Sequence, residues 1–163
     1  MGITLLPADF AGAHASARIP VSRPLLNRLV SDALARTKSP VRSVEIRPRE
    51  GDQFDAVVAV TWPFVPALTM SFRIEQQATF PDSPILVLRW SLLGGIGALA
   101  SRLVSSFNDK LPDGVRVDGD RLLLNLPILA TRSPLAPMLG YVTALEVHTL
   151  EDGALVDLRL AIS

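Results

Sequence analysis

Hydrophobic positions recur along this chain with two different periods, and the switches between them outline its elements. Over residues 22–36, Leu25, Leu26, Leu29, Val30, Ala33 and Leu34 fall on one stripe at helical spacing, while Arg23, Asn27, Arg28, Asp32 and Arg36 take the other side. Ser22 suits the N-cap and Pro24 the first turn. The helix is expected to end before Ser39-Pro40, because a residue preceding proline is pushed out of the helical region. A second stripe, Ile96, Leu99, Ala100, Leu103, Val104, Phe107 and Leu111, predicts a helix over residues 96–111. The third helical stretch, residues 128–139, is interrupted by Pro134 and Pro137 and reads as two short pieces.

Between these stretches the period drops to two. Ala15, Ala17, Ile19 and Val21 alternate with His14, Ser16, Arg18 and Pro20, which predicts a short strand with one buried face. Val44 and Ile46 lead into the polar turn 48–52, and residues 54–62 return as the second arm of a hairpin. Leu68, Met70, Phe72 and Ile74 alternate cleanly with Thr69, Ser71, Arg73 and Glu75. Residues 85–93 are apolar on both parities except at Arg89 and Ser91, the pattern of a strand covered on both faces. Val115 and Val117 approach Asp118-Gly119, which suits a two-residue hairpin turn, and residues 122–126 go back. Residues 142–150, the turn 151–153 and residues 155–162 make the last hairpin. Val41-Arg42-Ser43-Val44-Glu45-Ile46 lines up with Val142-Thr143-Ala144-Leu145-Glu146-Val147, each before an acidic glycine turn; internal duplication and a shared hairpin grammar both account for the match.

Composition narrows what such a fold does. The 163 residues fit one domain, 1–163, with 1–13 as a loosely attached N-terminal segment, and a chain of this size buries about 70% of its unfolded surface. No cysteine is present, so disulfides and thiolate chemistry are excluded. Lys and Arg total 16 and so do Asp and Glu, which removes the positive field that recruits nucleic acid. Apolar residues make up 48%, charged residues 20%, and mean hydropathy is +0.33. That surplus must be hidden inside the domain, against a partner, around a ligand or at a membrane. No bilayer span explains it: the greasiest window, 85–107, is interrupted by Arg89, Arg102 and the run Gly94-Gly95-Ile96-Gly97. The N-terminus carries no secretory pattern, and Leu6 stands where a myristoylation signal has Ser or Thr, so a soluble, cytoplasmic protein is expected.

Catalytic chemistry has little to work with. His14 and His148 are the only imidazoles, Ser16 and Ser91 lie in no strained nucleophile turn, and no His or carboxylate cluster has metal-ligand spacing. The close acid pairs, such as Asp118 with Asp120, fall at turns or helix ends. The expectation is a protein that is not an enzyme and uses no cofactor or metal. Its candidate site is an apolar pocket lined by Leu25, Leu29, Val30, Met70, Phe72, Leu99, Leu103 and Phe107. Stripes of this kind also simply pack on one another. Arg89 is the headgroup candidate, because a guanidinium holds phosphate or carboxylate by paired hydrogen bonds; the plainer reading is an arginine snorkelling to water. Trp62 and Phe64, in the proline-stiffened run Thr61-Trp62-Pro63-Phe64-Val65-Pro66, are candidates for transient membrane contact, or for rings folded back on the sheet edge.

The order of these elements resembles a known family. Ile19-Pro20-Val21-Ser22 opening a helix with Leu25-Leu26-Asn27-Arg28-Leu29, then long hairpins, then Gly114-Val115-Arg116-Val117-Asp118-Gly119-Asp120-Arg121-Leu122, is similar to the single-domain bacterial relatives of the tubular lipid-binding (TULIP) superfamily, over residues 14–163. The chain departs from that family in showing no export signal and in being one module where several members have two. The resemblance implies an α+β fold, a strongly curved antiparallel sheet of about eight strands wrapped around the two main amphipathic helices, with an apolar tunnel that takes a lipid chain. The function it implies is non-enzymatic binding of a lipid or other amphiphile. The alternative is a scaffold or assembly module whose apolar surface is buried in a homodimer or against a partner protein.

Overall fold

In chain order the elements are β1 (His14–Ser22), α1 (Arg23–Ala35), β2 (Val41–Arg49), β3 (Gln53–Val60), β4 (Leu68–Gln76), β5 (Ile85–Leu92), β6 (Val115–Asp118), β7 (Arg121–Asn125), α2 (Leu126–Ala130), a 3-10 helix (Ala136–Tyr141), β8 (Val142–Leu150) and β9 (Gly153–Ala161). They come from a computed structural model that describes residues 12–35, 41–61, 63, 66–92, 111, 113–131 and 136–161. The domain is mostly antiparallel sheet, α+β in class. Its described strands divide between two sheets instead of forming the single one expected: a three-stranded sheet in the order β1-β9-β8 and a six-stranded sheet in the order β2-β3-β4-β5-β7-β6. The predicted helix over 96–111 lies outside the described residues except for Leu111, as do most of 1–13.

Local signals place most elements where the pattern put them. α1 fills the predicted stretch, and the proline-broken segment resolves into α2 and the 3-10 helix, with the Asn125 side chain accepting the Ile128 N–H at 3.2 Å as an N-cap. The β6–β7 turn falls on Gly119 and Asp120, one residue later than the favoured dipeptide, with Gly119 supplying φ 58°. β1 departs from expectation. It pairs with β9 along its full length, yet Ala15, Ala17 and Ile19 stay exposed, because nothing described covers that face of the strand.

Buried apolar residues occur on both sheets: Ala56, Val60, Leu86 and Leu88 on the six-stranded one, and a cluster against the three-stranded one. In that cluster Ala78, Phe80 and Val142 are buried, and Leu126, Leu139, Leu145, Leu158 and Leu160 pack against them. The six-stranded sheet is two-faced. Cross-strand partners share a face in an antiparallel ladder. The register therefore puts Ile46, Ala56, Met70 and Leu92 in one row, Phe54, Phe72 and Trp90 in the next, and Leu88, Leu122 and Val117 beyond. Every side chain on that face is apolar. The opposite face carries Glu45, Arg47, Asp55, Arg73, Glu75, Arg89 and Arg121.

Two outer strands are closed by the same device. Edge strands present unpaired N–H and C=O groups that invite pairing with another chain. On β2, Ile46 N–H donates to Asn27 Oδ1 at 2.6 Å, and Asn27 Nδ2 donates to Ile46 O at 2.9 Å. On β8, Val147 N–H donates to Gln77 Oε1 at 3.0 Å, and Gln77 Nε2 donates to Val147 O at 2.6 Å. Each carboxamide thus stands in for one residue of a missing strand. Ile46 and Val147 occupy equivalent places in the two matching sequence runs, and both strands bulge at the equivalent step, Val41/Ser43 and Val142/Ala144. A shared bulge and a shared seal favour duplication over mere hairpin grammar.

The seals give an expected result. Asn27→Ala or Gln77→Ala leaves a half-buried N–H and C=O unpaired and should cost about 1–3 kcal/mol, read as a lowered denaturant midpoint. Asn27→Asp should cost no less, because the carboxylate keeps the acceptor but turns a second lone-pair oxygen toward Ile46 O. Wild-type midpoints in all three would show that the strand edges do not need these partners.

Candidate functional site

The candidate site is the apolar face of the six-stranded sheet. Two of the predicted lining residues, Met70 and Phe72, lie on this face on β4, and the Phe72 ring stacks on Phe54 across the ladder with centroids 5.0 Å apart and planes 8° from parallel. Such stacks hold both rings at fixed orientation. Trp90 opposes Phe72 from β5. Ala56, Val60, Leu86 and Leu88 are buried, but Phe54, Val58, Leu68, Met70, Phe72, Trp90, Leu92, Leu122 and Leu124 are only half-buried, and none of them belongs to the core cluster of the other sheet. A face with no polar side chain, closed at isolated points and partly open elsewhere, is a surface for apolar contact and offers no group for bond making.

The other lining candidates divide. Val30 is half-buried on the side of α1 that carries Leu26 and Leu34, whereas Leu25 and Leu29 are 41% and 55% exposed on its outer side. The reason is Asn27: it anchors the helix to the β2 edge and turns one flank of the leucine stripe outward. Its stretch of sequence placed Asn27 with the solvent-facing residues; the structure turns it inward. Leu99, Leu103 and Phe107 lie outside the described residues, and so do Trp62 and Phe64.

Arg89 stands on the opposite face from Met70 and Phe72 and does not join the apolar set. Its Nη2 pairs with Glu75 at 2.9 Å and its Nε with Asp120 at 3.4 Å. Glu75 also takes two bonds from Arg121, at 2.8 and 3.0 Å. The Arg121 guanidinium, and Arg89 behind it, hold the Glu75 carboxyl below the ordinary range, against a smaller desolvation effect.

The polar face of the three-stranded sheet holds a second set of charged groups. Arg18 pairs with Asp157 at 2.8 Å and lowers its carboxyl, again by hydrogen bonding first. His148 Nδ1 lies 3.2 Å from Asp52 Oδ1 and its Nε2 lies 3.6 Å from Glu146. Asp52, at φ 59°, sits in the β2–β3 turn and also accepts the Thr149 N–H at 3.2 Å, so this turn caps a second position on the β8 edge and ties the two sheets together. Neither serine gives His148 a nucleophile: Ser16 is two strands and two register rows away, and Ser91 belongs to the other sheet. Among the described residues no group of His, Asp and Glu is placed to hold a metal ion, and no helix is long and apolar enough to cross a membrane.

The depressed carboxyls set an acid dependence. Asp157, Glu45 and Glu75 bind protons less readily folded than unfolded, so their contribution is fully present above the unfolded value, about 4, and is lost as pH falls through the lower folded value. Arg18→Gln should flatten the fall of thermal midpoint below about pH 4 while changing it little at pH 7, because exposed pairs are weak. An unchanged slope would show that the Arg18–Asp157 pair does not contribute.

Comparison with known proteins finds no match: no family profile, no curated protein and no solved structure resembles the chain. The TULIP resemblance therefore stands on its sequence pattern alone.

Proposed function

We propose that the chain binds the acyl chain of a lipid or similar amphiphile on the apolar face of its six-stranded sheet, without catalysing a reaction. One observation carries the reading: six adjacent strands present only apolar side chains to one side, and most of those side chains are half-buried. Burying a methylene contributes about 0.8 kcal/mol, so roughly ten methylenes supply about 8 kcal/mol before ordering costs, the scale of micromolar affinity. The stripe of Leu99, Leu103 and Phe107 is the sequence's candidate for the opposite wall, which is the arrangement the TULIP resemblance implies.

Trp90 supplies the readout. In a Trp62→Phe variant it is the only indole. A fatty acid brominated along its chain should quench its fluorescence saturably at micromolar concentration, and the unbrominated acid should compete. Absence of quenching removes the reading.

A second reading, an assembly module, is favoured by exposed Ile19, Leu25 and Leu29 and by β1, whose outer edge no described residue covers. β1 is blunted as an edge: Arg23 N–H bonds Asp152 O, so even-numbered positions turn outward, and Pro20 there has no N–H to offer. Sedimentation showing a concentration-dependent dimer with no ligand would favour the module over the binder.

A further inference from the structure

We propose that the polar face of the six-stranded sheet carries a phosphate-binding window framed by Arg73, Arg89, Ser71 and Ser91. This site is separate from the apolar face and stands whether or not that face holds an acyl chain.

The window follows from register. Arg49, Gln53, Arg73, Arg89, Arg121 and Asp118 form one row across all six strands, so Arg73 faces Arg89 directly and Arg89 faces Arg121 directly. Like charges directly opposite in a ladder are destabilising. Between Arg89 and Arg121 the chain offsets this with Glu75, whose carboxylate bridges both guanidinium groups. At the other end of the row, Arg49 is taken up by Asp55 and Ser71, at 2.9 and 2.7 Å.

Arg73 receives nothing comparable. Among the described residues no carboxylate pairs with it, and its neighbours in the row are Arg89 and Gln53. In the next row on the same face Asp55, Ser71 and Ser91 stand side by side, with the Asp55 carboxylate taken up by Arg49 at 2.9 Å. By register, two guanidinium groups and two hydroxyls therefore border a place that lacks the bridging anion found one strand over. Arg73 and Ser91 are exposed, so the place is open to a ligand. A group with several acceptor oxygens and a full negative charge would do for Arg73 and Arg89 what Glu75 does for Arg89 and Arg121. Phosphate fits that description: its oxygens take paired donors from guanidinium and a single donor from a hydroxyl. The same chemistry arrives as a free phosphate or as a phosphomonoester lipid headgroup at a membrane surface.

The two sources separate experimentally. The arginine Nε–Hε resonances of labelled full-length protein are followed during titration with inorganic phosphate, and sedimentation is measured with phosphatidylcholine vesicles with and without phosphatidate. Saturable shifts confined to Arg73 and Arg89 are expected, with R73Q weakening affinity about tenfold or more and S91A about threefold. R47Q, on the same face but outside the window, should leave binding unchanged. The thermal midpoint of R73Q should equal or exceed that of wild type, since a like-charge opposition is relieved. Phosphatidate-dependent sedimentation lost in R73Q assigns the headgroup; saturation by inorganic phosphate alone assigns a soluble phosphate; either supports the window. No saturable shift with either ligand, or equal loss in R47Q and R73Q, overturns it.

Discussion

Met70→Asp should abolish quenching of Trp90 by a brominated acyl chain, shifting affinity by about 3 kcal/mol, or about a hundredfold. Met70 lies between Ala56 and Leu92 on the apolar face, one row from the Phe54–Phe72 stack. A carboxylate there brings its hydration shell onto a face with no polar partner, and an acyl chain crossing the row would have to strip it. Met70 is itself only half-buried, so the folded state keeps water within reach of the new charge and loses less than the complex does. Met70→Leu, which conserves volume and polarity, should bind nearly as wild type. Equal binding by the Asp variant would remove this face as the ligand's place.

Among the described glycines, Gly153→Ala should be the most destabilising replacement. A Cβ at Gly153 runs into the Val21 carbonyl oxygen and meets the Val21 carbonyl carbon and Ser22 Cα at 3.3 Å. These are backbone atoms of β1 at the point where it hands over to α1, and they cannot swing aside as the tip of a side chain does. Relief requires β1 to part from β9 where Arg23 N–H bonds Asp152 O at 2.9 Å. Overpacking against backbone is expected to cost about 3 kcal/mol or more, a fall of about 6–12 °C in thermal midpoint for a chain of this size. Gly140→Ala, with open space around the new methyl, should stay within about 0.5 kcal/mol of wild type. A Gly153→Ala protein melting with the wild type would show that β1 is not held against the turn.

The period-two runs made β4, the hairpins and the apolar half of the candidate site legible, because alternation states directly which residues share a face. Met70 and Phe72 needed no more than that. What alternation does not state is which strands pair, so the division into two sheets was out of reach: β1 and β9 meet across almost the whole chain. The arginine row was hidden for the same reason. Each strand carries its own arginine at an unremarkable position, and only the register brings Arg73, Arg89 and Arg121 abreast. Asn27 and Gln77 show a different limit. A carboxamide beside an apolar stripe reads as solvent-facing by polarity, yet each bonds a backbone whose own strand neighbour is missing, and a missing neighbour leaves no mark in local sequence. The match between residues 41–46 and 142–147 was the one available signal, since it pairs Ile46 with Val147.

The most direct test is extraction of the protein, purified without detergent from lipid-replete cells, with organic solvent, followed by mass spectrometry of the extract. About one lipid or amphiphile per chain in wild type, and little in Met70→Asp, is the expected result. A clean extract from wild-type protein that also takes up no added fatty acid would contradict it, leaving the half-buried apolar face as surface for another protein.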